Sequence, residues 1–149
     1  MRAAILVVSD RCSKGETRDL TGPELSRLLC EKGWKVVEMK VVPDDEDNIE
    51  EALQEWADGG LAELILTAGG TGLGPRDVTP EATKRVLERE ADGIIQLIRN
   101  EGMKVTPRAA LSRAVAGTLG KALIINLPGS PKAAGESFLA VADILPHAM

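Results

Sequence analysis

Apolar positions along the chain fall into short continuous runs that alternate with helical stripes. Ala3–Ser9 is one such run, the pattern of a strand buried on both faces of a parallel sheet. A polar loop, Asp10–Leu20, follows it. Thr21-Gly-Pro-Glu24 then reads as a capping box with proline in the first turn, opening a helix with Leu25, Leu28 and Leu29 on one face. Gly33 ends that helix. Lys35–Val42 is a second strand, closed by Pro43. A second helix begins near Asp47, the expected cap, and carries Ile49, Ala52, Leu53 and Trp56 on one face above an acidic one. Gly59-Gly60 ends it. Leu64–Thr67 is a third strand. Thr79-Pro-Glu81 predicts an N-cap and a helix to about Arg89, and Ile94, Leu97 and Ile98 predict another, to Asn100. Ala114–Thr118 and Ala122–Leu127 read as strands around Gly120-Lys121. Ser130-Pro131 opens a last helix, in which Phe138, Val141, Ala142 and Leu145 share a face.

Strands alternating with helices imply βαβ units, hence an α/β fold: a three-layer α/β/α sandwich around a mainly parallel sheet. The 149 residues suit a single domain, 1–149, with no internal repeat or linker. In such a sheet the ligand crevice lies beyond the carboxyl ends of the strands. That rule selects the loops Ser9–Asp19, Pro43–Asp47, Gly69–Thr79 and Pro128–Pro131.

Composition narrows the chemistry. The chain has one histidine, His147, no tyrosine, and only Trp34, Trp56 and Phe138 as aromatics. A Ser-His-Asp site, a histidine-ligated zinc centre and a stacking nucleic-acid platform are therefore unexpected. Both tryptophans read as core residues. Net charge is −5 but uneven, because Asp44–Asp58 alone carries eight acidic and no basic side chains. Arg76–Lys132 holds ten basic and six acidic residues, a local +4 that suits a small phosphorylated ligand but is too weak for DNA or RNA. Cys12 and Cys30 have no metal or redox spacing. With no secretory leader and no membrane-length apolar run, they read as reduced thiols of a cytoplasmic protein.

The densest chemistry lies in Thr67-Ala-Gly-Gly-Thr-Gly-Leu-Gly-Pro-Arg-Asp-Val-Thr-Pro80, where four glycines fall within six residues directly after a strand. Backbone without side chains can approach a ligand and aim N–H groups at phosphate oxygens. Gly69, Gly70, Thr71 and Gly72 are the candidate cradle. Arg76 adds a bidentate phosphate donor, and Asp77 a carboxylate able to hold Mg²⁺. The loop is not a Walker A, since no Gly-Lys-Ser/Thr follows, and its spacing is wrong for a dinucleotide fingerprint. Asp44 follows Val-Val-Pro at a strand end, so it belongs either to the crevice or to a solvated acidic run. Ser9 and Asp10 end the first strand. Asn126, Pro128, Gly129 and Ser130 lie where a strand passes into a helix N-terminus, a good anion site, although Ser130 also reads as a plain cap.

These residues carry a resemblance. Val8-Ser-Asp-Arg11, Thr21-Gly-Pro23, Val42-Pro-Asp44, the Thr67–Pro80 loop, Thr106-Pro-Arg108, Leu111-Ser-Arg113 and Leu127-Pro-Gly-Ser-Pro131 resemble the MogA/MoaB family of molybdenum-cofactor biosynthesis proteins over nearly the whole chain. The resemblance implies Mg²⁺-dependent adenylylation of molybdopterin by ATP, with release of pyrophosphate. It implies a homotrimer or hexamer and hand-over of the product to a molybdate-inserting MoeA-type enzyme. The family's aspartates fall on Asp44 and Asp77, as catalytic and metal-holding residues, and Ser112 and Arg113 become candidates for pterin or phosphate contacts. The Leu73-Gly74-Pro75 insert is MoaB-like, which leaves a non-catalytic molybdopterin-binding or assembly protein as the alternative. A CinA-like nucleotide pyrophosphatase is a further alternative.

Overall fold

The computed structural model describes residues 1–149. Its strands are β1 (Arg2–Val8), β2 (Lys35–Val42), β3 (Leu64–Ala68), β4 (Arg89–Glu90), β5 (Ala116–Leu119) and β6 (Ala122–Leu127). They form one sheet in the order β2-β1-β3-β6-β5-β4. The pairs β1–β2, β1–β3 and β3–β6 are parallel, and only β5 runs against its neighbours. The helices are α1 (Asp10–Ser13), α2 (Thr21–Glu31), α3 (Glu46–Asp58), α4 (Thr79–Val86), α5 (Asp92–Val105) and α6 (Pro131–Val141). Single 3₁₀ turns lie at Pro107–Leu111 and Leu145–Ala148.

The continuous apolar runs follow from burial of both sheet faces. In β1, Ala3, Ile5 and Val7 pack towards α2, α5 and α6 with Leu25, Leu29 and Phe138. Ala4, Leu6 and Val8 point the other way, onto Ile49, Leu53 and Trp56 of α3. The buried set of α3 is the predicted stripe, Ile49, Ala52, Leu53 and Trp56. Trp34 and Trp56 are both core residues, 3% and 6% exposed.

Several local expectations fail, two of them because a tertiary partner takes the capping hydroxyl. Thr21 does not cap α2; Asp19 accepts from the amides of Thr21 and Gly22, while the Thr21 hydroxyl donates to Gly129 O at 2.7 Å. The cap of α3 is Asp45, which accepts from Asn48 N, and Asp47 sits inside the first turn. Thr79 does not cap α4; its hydroxyl donates to Gly69 O at 2.8 Å. The helix from Thr79 ends at Val86, and Arg89–Glu90 instead pairs with Gly117 and Thr118. The loop after β1 contains α1, α5 runs on to Val105, and β5 starts at Ala116. Ser130 does cap α6, accepting from Ala133 N.

The Arg2–Glu63 pair ties the first strand to the turn before β3, with Arg2 N and both guanidinium contacts on the Glu63 carboxylate at 2.6–3.1 Å. The Arg2 hydrogen bonds pull the Glu63 carboxyl down to about 2. A depressed carboxylate contributes stability above its unfolded pKa and loses it as pH falls through the folded value. Glu63→Gln is therefore expected to lower Tm slightly at neutral pH, the modest effect of a surface pair. The difference from wild type should shrink between the ordinary glutamate range and about pH 2. Thermal melts across that range check it, and a difference independent of pH would count against the pairing.

The sheet order places a crevice. The chain leaves β1 through α2 on one face and β3 through α4 on the other, so two adjacent parallel strands send their loops apart. A binding crevice opens at such a switch point, beyond the strand ends.

Candidate active site

At the end of β1, Ser9 caps α1 by accepting from Cys12 N. Asp10 and Asp44 then lock the loops after β1 and β2 together. Asp10 N donates to Asp44 Oδ2, and Asp44 N donates to Asp10 Oδ1, both at 2.9 Å. Asp44 thus belongs to the crevice and not to the solvated acidic run. Arg76 makes a fork onto Asp10, with Nε and Nη2 each 3.0 Å from a carboxylate oxygen. The expected phosphate donor is therefore held at Asp10, with its side chain still two-thirds exposed (66%). The two aspartates are driven apart electrostatically. The Arg76 hydrogen bond holds the Asp10 carboxyl below its usual range. Burial pushes Asp44 up, and the charges of Asp10 and Asp77 add to the rise.

The glycine loop leaves β3 with its carbonyls turned into the protein. Gly69 O accepts from the Thr79 hydroxyl and Gly70 O from Thr79 N at 3.2 Å. Thr71 O accepts from Arg113 N at 2.9 Å, and Gly72 O from Arg113 Nε at 2.7 Å. The N–H groups of Gly70, Thr71, Gly72 and Leu73 donate to no protein acceptor. Consecutive free amides beside engaged carbonyls make an anion-binding concavity. Gly69 packs against Gly129, so the loops after β3 and β6 share the crevice. The Asp77 carboxylate lies against Gly72 and Gly74 and accepts from Gly74 N at 2.9 Å.

Asn126 is fully buried, and its amide group is committed inside the protein. Its Nδ2 donates to Thr67 Oγ1 and Thr83 Oγ1, and its Oδ1 accepts from Val115 N. Thr83 in turn donates to Thr79 O, so this network braces the glycine loop from beneath. Next to the loop, a cleft of about 690 Å³ runs between α5, the Pro107–Leu111 turn and α6. Thr71, Gly72, Ser112, Asn126 and Pro128 form its inner end, and Ile95, Val105, Leu111 and Leu139 its apolar walls. Arg99 lies among them and donates to Ser112 O at 2.9 Å. The volume suits one small organic ligand. No aromatic side chain lines the cleft, so a ring there meets aliphatic walls, backbone and the charged groups Arg99, Glu101, Arg108 and Glu136.

Sequence reasoning named Asp10, Asp44, Asp77 and the loop glycines, and the structure brings them to one crevice. It missed Thr79 as a loop anchor, Glu81, and the walls from α5 and α6. The one available signal for those walls was the Thr106-Pro-Arg108 motif, which sits in the turn bordering the cleft.

No three His, Cys, Asp or Glu side chains converge as a metal cage. Mg²⁺ does not require one; it is commonly held by one or two carboxylates together with substrate phosphates. Asp44 and Asp77, close enough for their charges to repel and set beside free amides, fit that donor set.

Residues 4–147 match the family described as "Probable molybdopterin binding domain". The chain is 41% identical over 145 residues to molybdopterin adenylyltransferase of Helicobacter pylori J99, covering 96% of this chain and 82% of that protein. It is 44% identical over 146 residues to the molybdenum cofactor synthesis protein cinnamon of Drosophila melanogaster, covering 97% of this chain but only 24% of that protein. The crystal structure of the molybdopterin biosynthesis enzyme MoaB of Thermus thermophilus superposes with a TM-score of 0.93 at 50% identity, covering 99% of this chain and 92% of that one.

Proposed function

The chain belongs to the MogA/MoaB family of molybdopterin-binding proteins, and from that premise we propose that it transfers AMP from ATP to the terminal phosphate of molybdopterin. The observation that supports this most directly is the run of free amides at Gly70–Leu73, flanked by Asp44 and Asp77 and opening into the 690 Å³ cleft. An acceptor oxygen of the pterin phosphate attacks the α-phosphorus of ATP. The new P–O bond forms as the bond to the β-phosphate oxygen breaks, and pyrophosphate leaves with the electron pair.

The acceptor phosphate is already ionised at neutral pH, so no base has to remove a proton. The lone histidine, exposed on the last 3₁₀ turn, has no part in this chemistry. The demand is for alignment and for neutralising phosphate charge. The loop amides bind the triphosphate. Asp44 and Asp77 would hold Mg²⁺, which when bound would supply charge neutralisation for the substrate phosphates. The cleft takes the pterin between its aliphatic walls, with Ser112 and Pro128 bordering its phosphate end. The same reading includes a homotrimer or hexamer and delivery of the product to a MoeA-type enzyme.

The test mixes the protein with molybdopterin and Mg-ATP. One pyrophosphate per adenylylated pterin is expected. Tight pterin binding without pyrophosphate would make the chain a binding module, and hydrolysis of ADP-ribose without pterin would make it a pyrophosphatase.

A further inference from the structure

The geometry assigns Arg113 a role other than substrate contact: it is a positioning residue that clamps the glycine loop and, through it, Asp77. The inference rests on the adenylylation reading for its catalytic consequence, but its structural half stands alone.

The half-buried Arg113 engages the protein through its backbone N–H and all three guanidinium nitrogens. Its backbone N–H donates to Thr71 O at 2.9 Å. Its Nε donates to Gly72 O and its Nη2 to Asp77 O, both at 2.7 Å. Its Nη1 meets both carboxylate oxygens of Glu81, at 2.8 and 2.9 Å. A guanidinium is a planar fork with fixed donor directions. Here one edge spans the two legs of the loop, and the remaining nitrogen is oriented by Glu81 in the first turn of α4. That turn is fixed in its own right, since Thr79, Pro80, Ala82 and Thr83 are buried.

Two consequences follow. Carbonyls that would repel a phosphate are drawn towards a positive charge, which leaves the loop amides as the ligand-facing groups. The exposed tip, Leu73–Arg76, is closed internally by Gly74 N on Asp77 Oδ2 and Asp77 N on Gly74 O, so it moves with Asp77. Release of Asp77 O would loosen the tip and the carboxylate together, leaving the Arg76 fork on Asp10 as the tip's remaining tie. Lysine cannot replace this clamp, because one ammonium has no fork to span the Gly72 and Asp77 carbonyls.

The test uses Arg113→Ala, Arg113→Lys and Glu81→Gln in the full chain. Hydrogen exchange of the ligand-free protein reads the clamp directly. The hydrogen-bonded amides of the loop, those of Gly74, Asp77 and Thr79, should exchange about tenfold faster in both Arg113 variants, and less so in Glu81→Gln, with β1, β3 and β6 unchanged. In the adenylylation assay, turnover should fall about 100-fold for Arg113→Ala, the usual cost of a misplaced catalytic group. Molybdopterin affinity, measured without ATP, should stay within about threefold. Added methylguanidinium should restore part of the Arg113→Ala rate. Unchanged loop exchange, or loss of pterin affinity with the loop intact, would overturn the assignment and make Arg113 a substrate contact. If wild type released no pyrophosphate while the exchange result held, the adenylylation reading would fail and the clamp would remain.

Discussion

Asp77→Asn is expected to lower pyrophosphate release by about 100- to 1,000-fold, the scale of losing one preorganised electrostatic group. Asp44→Asn should do the same. Both changes keep an oxygen where the carboxylate now accepts, from Gly74 N in one case and Asp10 N in the other, at 2.9 Å. Shape and hydrogen bonding are therefore preserved and charge alone is removed. Stability separates the catalytic reading from a structural one. Burial and the charges of Asp10 and Asp77 raise the Asp44 pKa in the folded state. A raised carboxylate binds its proton more tightly folded than unfolded, so its ionisation destabilises the fold above the folded pKa. Asp44→Asn should accordingly keep or raise Tm at neutral pH, and that advantage should fade as pH falls from the raised folded value to the ordinary aspartate range and be gone below it. A variant that lost activity and also melted lower at neutral pH would mark Asp44 as a structural group. Full activity in Asp77→Asn would remove it from the mechanism.

The part of this site that the sequence makes legible is the part written in local pattern. Apolar runs mark the strands, and the strand ends mark the loops. Thus Asp10 and the glycine loop reach the crevice by the topology rule alone, whereas Asp44, open between crevice and acidic run in the sequence, is placed by its paired hydrogen bonds with Asp10. Ile49, Ala52, Leu53 and Trp56 have a helical period and are buried as that period requires. What stays hidden depends on partners far away in sequence. Thr21 and Thr79 look like caps because a hydroxyl before a helix usually bonds locally. Each instead reaches a glycine carbonyl across the crevice. Arg113 reads as a free cation for phosphate, yet its partners are Gly72, Asp77 and Glu81, more than thirty residues earlier. The cleft walls escape notice for another reason. Val105, Leu111 and Leu139 are exposed aliphatic residues, and single ones are ordinary on a protein surface. Only the packing of α5 beside α6 shows that they face one space. Arg89–Glu90 carries no apolar signal because its short ladder runs at an exposed sheet edge.

Gly70→Ala tests the loop from the backbone side. Gly70 has φ +70, a left-handed conformation that costs an alanine about 1–2 kcal/mol. A methyl there would overlap the Thr79 hydroxyl and lie 3.2 Å from Asp44 Oδ1. The hydroxyl that supports Gly69 O would have to move, at a further cost of about 1–2 kcal/mol for a disturbed buried hydrogen bond. The sum, about 2–4 kcal/mol, is a large fraction of a domain's stability. Turnover should fall about 100-fold, because the shift reaches both the free amides and Asp44. Gly33→Ala is the matched control. Gly33 has φ +85, but a methyl there meets nothing within 4 Å. It should therefore show the backbone cost alone, about 1–2 kcal/mol, with unchanged turnover. Chemical denaturation and the pyrophosphate assay on both variants measure the difference. Equal destabilisation of the two, with activity kept in Gly70→Ala, would mean that the close packing of Gly70, Thr79 and Asp44 does not shape the site. The expected split, a modest loss at Gly33 against a combined loss of stability and turnover at Gly70, would tie the catalytic geometry to the one loop position where a methyl finds a hydroxyl and a carboxylate in its path.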